Sequence, residues 1–191
     1  MAEVLLYHHA QGQTTGFLAF ADQLRVAGHT VHTPDLYDGH VFGVHAEGMA
    51  YAQETGIGEI LERGVRAADN VPHEIVYAGF SLGVMPAQKL AQTRPGARGA
   101  LFFQACLPVS EFGSSWPDGV PVQVHGMDAD PLFAGEGDLD AARSLVESVD
   151  EAELFLYPGD RHLFADSSLS SYEPEAAALL TKRAIEFLVD R

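Results

Sequence analysis

The stretch His73–Met85, HEIVYAGFSLGVM, constrains the fold more than any other part of the chain. Ile75 to Ala78 reads as a short buried strand, Gly79-Phe80-Ser81-Leu82-Gly83 as a tight turn, and Val84 onward as a helix. The spacing G-x-S-x-G between a strand and a helix is that of a nucleophile elbow. A serine on so sharp a turn is held in a strained backbone conformation with its hydroxyl lifted above the sheet. Glycine is required two residues before and two after it, because neighbouring backbone passes too close for a Cβ. Gly79 and Gly83 meet that need. The motif acquires chemical meaning only if an acid and a histidine follow it in that order.

The rest of the chain supplies alternating elements. Val4 to Tyr7 is a first apolar strand, followed by the polar loop His8 to Gly16 and then by Phe17, Leu18, Phe20, Ala21 and Leu24 at helical spacing. Thr30 to Leu36 is a second strand. Met49 to Asn70 reads as helical, with a break at Gly56-Ile57-Gly58. After the elbow come a helix to about Thr93, a strand Ala100 to Ala105 and a loop Pro108 to Gly119. A strand Val120 to His125, a helix Leu139 to Val149, a strand Ala152 to Tyr157 and a helix Pro174 to Val189 complete it. The strands are continuous apolar runs rather than alternating ones. The expectation is an α/β fold, residues 1–191 as one domain, with a trimmed, mostly parallel sheet of about six strands covered by helices on both faces.

The net charge of −16 disfavours nucleic acid and anionic membranes as partners by long-range repulsion. No apolar run approaches the ~20 residues of a membrane span, and no signal-peptide pattern follows Met1. A cytoplasmic protein is expected. Cys106, the single cysteine, excludes an internal disulfide and reads as a small buried hydrophobe. The His8-His9 pair lacks the spacing of a metal site, so no metal and no cofactor are expected.

Ligands of such sheets bind at the carboxyl ends of the strands. A serine hydroxyl needs a base to take its proton, and the base needs a third group to fix its tautomer. After the strand ending at His125 stand Asp128 and Asp130, of which Asp130 is preferred as the acid. After the last strand stands His162, the candidate base. The Leu82 amide, at the start of the helix, is one oxyanion donor. The second comes from the loop after the first strand, with Ala10 ahead of Gln11. His9, Gln11, Tyr37 and Trp116 are candidate pocket residues.

These residues resemble the dienelactone hydrolase family of the α/β-hydrolases. The resemblance rests on Pro34-Asp35-Leu36-Tyr37, the elbow around Ser81, Gly126 with Asp130, and Pro158-Gly159 with His162 and Phe164. It implies an α/β-hydrolase fold lacking one or two amino-terminal strands, and acyl-transfer chemistry. Family members matched to dienelactone carry cysteine at the elbow, glutamate after the first strand and an arginine past the histidine. Here Ser81, His9 and Asp166 stand at those places, so dienelactone specificity is not expected to carry over, and an acid at 166 would repel an anionic substrate. The expected activity is a serine hydrolase cleaving a small, uncharged ester or lactone through an acyl-enzyme on Ser81, with a homodimer left open. The alternatives are a non-catalytic small-molecule-binding protein on the same scaffold, or an acyltransferase.

Overall fold

The computed structural model describes residues 1–189 and 191. Six strands, β1 (Glu3–Tyr7), β2 (Thr30–His32), β3 (Val76–Phe80), β4 (Gly99–Phe103), β5 (Val122–Met127) and β6 (Ala152–Tyr157), form a sheet of order β2-β1-β3-β4-β5-β6. Every neighbouring pair is parallel. All the carboxyl ends therefore lie along one rim, which is what brings distant loops together.

Both sheet faces are apolar because both are covered. Successive residues of a strand point to opposite sides, so Val4 and Leu6 of β1 join one core while Leu5 and Tyr7 join the other. The first core is closed by α1 (Thr15–Val26) and α6 (Pro174–Val189), through Phe17, Phe20 and Leu24 and through Leu180, Ala184 and Leu188. The second is closed by α2 (His45–Thr55), α3 (Ile57–Ala67), α4 (Val84–Thr93) and α5 (Asp138–Ser148). The expected architecture is the one observed. No helix among the described residues is long and apolar enough to cross a membrane.

Several boundaries differ from expectation for local reasons. The second strand stops at His32 instead of Leu36. Pro34 has no N–H for a ladder, and the Asp35 carboxylate takes the amides of Tyr37 and Gly39, turning the chain. The long helix starts at His45 rather than Met49; its division falls at Gly56, within the expected break, where a φ of 97° fits no helix. β5 begins at Val122, not Val120, because the Val120 carbonyl accepts the Trp116 indole N–H.

Candidate active site

Ser81 follows β3 in a single 3-10 turn, Ser81–Gly83, that leads into α4. Its φ is 46°, a left-handed conformation that is costly for a residue with a Cβ. The flanking glycines are needed for space. A Cβ on Gly79 would stand 2.2 Å from the Gly83 carbonyl oxygen, and one on Gly83 would stand 2.6 Å from those of Tyr7 and His8. Gln104 and Leu163, the residues after β4 and beside His162, also have positive φ, 57° and 59°. Strained backbone thus gathers at the carboxyl rim.

Asp130 lies in the loop after β5 and His162 in the loop after β6. The structure brings both to Ser81. The His162 Nδ1–H donates to Asp130 Oδ2 at 2.6 Å, which leaves Nε2 to accept the Ser81 hydroxyl at 2.9 Å. Asp130 is fully buried and its other oxygen accepts the Leu132 amide at 3.0 Å, so the carboxylate cannot rotate away. Asp128, the alternative acid, points elsewhere and accepts the Gly159 amide, tying the β5 and β6 loops together.

The loop after β1 lies beside the elbow, since β1 and β3 pair directly. The Gln11 amide is taken by His9 Nδ1 at 3.2 Å. The Ala10 amide has no acceptor among the described residues, so it is the free donor of the two. Gly48 of α2 packs on this loop so closely that a Cβ there would stand 1.8 Å from the Ala10 carbonyl oxygen. Leu82 supplies the other amide, at the start of the turn.

A cavity of about 300 Å³ opens at Ser81 and His162. Met49, Met85, Leu107 and Leu132 form its apolar wall, and His45, Gln104, Glu136 and Asp138 its polar part. A second, larger cavity, about 590 Å³, lies on the other side of His162 and shares His45 and Leu132 with the first; Gln11 lines it. The His45 ring meets the His162 ring edge-on at 5.5 Å. Burial lowers the pKa of His45, and the neighbouring His162 lowers it further, which favours a neutral ring. Burial pushes the Asp138 carboxyl up to about 6, against a hydrogen bond from the Cys106 amide. Of these, only Gln104 carries a sequence signal, as the polar residue ending the apolar run ALFF. Leu132 and Glu136 come from the irregular loop before α5, and Asp138 from that helix's first turn, so none of the three could be placed without coordinates.

Three expected pocket residues are elsewhere. His9 is fully buried with both ring nitrogens engaged: Nε2–H donates to Asp166 at 2.8 Å and Nδ1 accepts from Gln11. It lines neither cavity and is a strut beneath the β1 loop. Asp166 in turn is 2% exposed and faces inward, bonded to His9, Thr14 and Ser168, so it cannot act on a substrate's charge. Burial would raise its pKa, but the hydrogen bonds from His9, Ser168 and Thr14 outweigh that and hold it at about 2. Tyr37 is fully buried, its hydroxyl donating to the Gly48 carbonyl, and it packs against His8 and Tyr51. Trp116 stands at the end of the loop that carries the chain back to the start of β5. It lines a cavity with Asp150 and Glu151, at the opposite rim from Ser81. Cys106 is fully buried, and burial pushes its thiol up to about 12, which makes it inert at neutral pH. Among the described residues no group of three or more His, Cys, Asp or Glu side chains could hold a metal ion.

The model of the Dienelactone hydrolase family matches residues 2–190. A comparison with curated protein sequences gives no match. Among solved structures, a dienelactone hydrolase-like promiscuous phosphotriesterase, P91, from metagenomic libraries superposes with a TM-score of 0.74 at 18% identity, covering 100% of this chain and 86% of that one. Esterase 2 of Thermogutta terrifontis, phosphonylated by cyclosarin, gives a TM-score of 0.73 at 16% identity, covering 99% of this chain and 82% of that one. At such identities the likeness establishes the α/β-hydrolase fold, shared over the whole chain.

Proposed function

The chain belongs to the dienelactone hydrolase family, and from that premise we propose that it is a serine esterase or lactonase acting on a small substrate without negative charge. The observation that carries this reading is the continuous hydrogen-bond chain from Asp130 through His162 to Ser81, opening on a cavity of about 300 Å³. His162 Nε2 removes the Ser81 proton as Oγ attacks the carbonyl carbon. Asp130 holds the Nδ1–H tautomer and stabilises the imidazolium that forms. The amides of Leu82 and Ala10 receive the oxygen as it becomes negative, each worth about 3 kcal/mol by comparison with measured oxyanion donors. His162 then gives its proton to the departing alkoxide, and a water activated by the same nitrogen releases the acid. No step in this sequence calls on a cofactor.

The two cavities give the substrate a direction. The acyl group belongs in the small cavity at Ser81, between Met85, Leu107 and Leu132. The alcohol leaves past His162 toward the larger one. Among the described residues no lysine or arginine lines either cavity, and Glu136 and Asp138 stand in the acyl cavity, so a carboxylate on the substrate meets repulsion there. The net charge of −16 acts in the same direction at long range.

Turnover of p-nitrophenyl butanoate by the protein and by Ser81→Ala tests the reading. Activity confined to the unaltered protein supports it; equal activity in the variant removes Ser81 from the mechanism.

A further inference from the structure

Gln104 is 1% exposed, and neither its Nε2 nor its Oε1 has a hydrogen-bond partner among the described residues. A buried carboxamide left unpaired is costly and calls for an explanation. Its position suggests one. Phe80 of β3 is in register with Phe103 of β4, so Ser81 and Gln104 are the next residues on adjacent parallel strands. Both turn out of the sheet with positive φ, and both line the acyl cavity. Adjacent strands are about 4.8 Å apart, which sets Gln104 beside Ser81 on the wall of that cavity.

The oxyanion amide of Ala10 lies on the β1 side of Ser81, and β4 lies on the opposite side. A tetrahedral carbon whose oxygen turns toward β1 therefore directs its remaining substituents toward the side lined by Gln104. We propose that Gln104 is a specificity-determining residue of this cavity. Its carboxamide pairs with a neutral group on the acyl part that both donates and accepts a hydrogen bond, of which a hydroxyl is the smallest. The substrate class is then a hydroxyacyl ester. A carboxylate could only accept and would face Glu136 and Asp138; a plain alkyl chain would leave both polar atoms of Gln104 unpaired. This inference rests on the esterase reading above and narrows it.

The test uses p-nitrophenyl esters in pairs matched for volume: 3-hydroxybutanoate against 3-methylbutanoate, and 2-hydroxybutanoate against 2-methylbutanoate. The unaltered protein is expected to favour one hydroxy ester over its methyl counterpart by about tenfold or more in kcat/KM, since an unpaired buried amide penalises the analogue. Gln104→Met, similar in length and unable to pair, is expected to lose that preference. Equal handling of both pairs by the unaltered protein overturns the proposal without needing any variant. So does a Gln104→Met protein that keeps the preference and merely melts at a lower temperature, which is what a purely structural role would give. Should that variant not fold, Gln104→Leu, close in volume and likewise unable to pair, must show a reduced preference. Turnover with Ser81 labelled by a fluorophosphonate but no hydroxyl preference removes only this inference. No turnover of any ester together with an unlabelled Ser81 removes the esterase reading as well.

Discussion

Two of the aspartate–histidine pairs at the carboxyl rim of the sheet differ in what the second ring nitrogen meets. In one, His162 gives Nδ1–H to Asp130 and turns Nε2 to the Ser81 hydroxyl at the mouth of a cavity, its side chain 13% exposed. In the other, His9 gives Nε2–H to Asp166 and its Nδ1 accepts the Gln11 amide, with both side chains 1% exposed. The tautomers are opposite and so are the consequences. A pair whose remaining nitrogen faces a hydroxyl and solvent can move a proton, whereas one whose remaining nitrogen is closed off by backbone can only hold a loop. The loop held by His9 carries the Ala10 amide, so the closed pair serves the open one by position.

The comparison breaks if the pairs respond alike to substitution. The largest expected effect is on turnover: His162→Ala should lower kcat/KM for p-nitrophenyl butanoate about 10⁴-fold or more, with little change in unfolding free energy. Asp130→Asn should come close behind, because it favours the wrong imidazole tautomer. Asp166→Ala should instead act on stability, by about 1–3 kcal/mol in urea denaturation, because it leaves a buried imidazole N–H without its acceptor. An Asp166→Ala protein of full stability and abolished turnover would make the second pair catalytic.

The Asp166 pair also carries a pH signature. Its folded pKa of about 2 lies below the ordinary aspartate value of 3.8. The resulting stabilisation is fully present above about pH 4 and is lost as the pH falls toward 2. Urea midpoints across that range should fall faster for the unaltered protein than for Asp166→Asn. Asp138 has the opposite sign, its folded value about 6 lying above 3.8, so its ionisation destabilises the fold progressively as pH rises from 3.8 through 6. Asp138→Asn should therefore be stabilising at neutral pH, by on the order of 1 kcal/mol because solvent screens a half-buried group.

Legibility in the sequence followed the range of the physics involved. The elbow could be read because its requirements are local: two glycines, a strand and a helix within a dozen or so residues. His162 and Asp130 could be read because a parallel sheet sends every strand's carboxyl end to one rim. His9 and Asp166 were opaque because their partnership spans 157 residues and nothing in either neighbourhood signals the other. Asp166 consequently read as a charge facing substrate, when the acids at the cavity are Glu136 and Asp138. Trp116 was misplaced for a related reason. A loop running from the carboxyl end of β4 to the amino end of β5 must cross the sheet, and its far end faces away from the chemistry.

Mass spectrometry after incubation with a fluorophosphonate tests the open pair most directly. A single adduct mapping to Ser81, absent in His162→Ala, is the predicted result. An unmodified Ser81 in the folded protein, or labelling undiminished by the loss of His162, would contradict it.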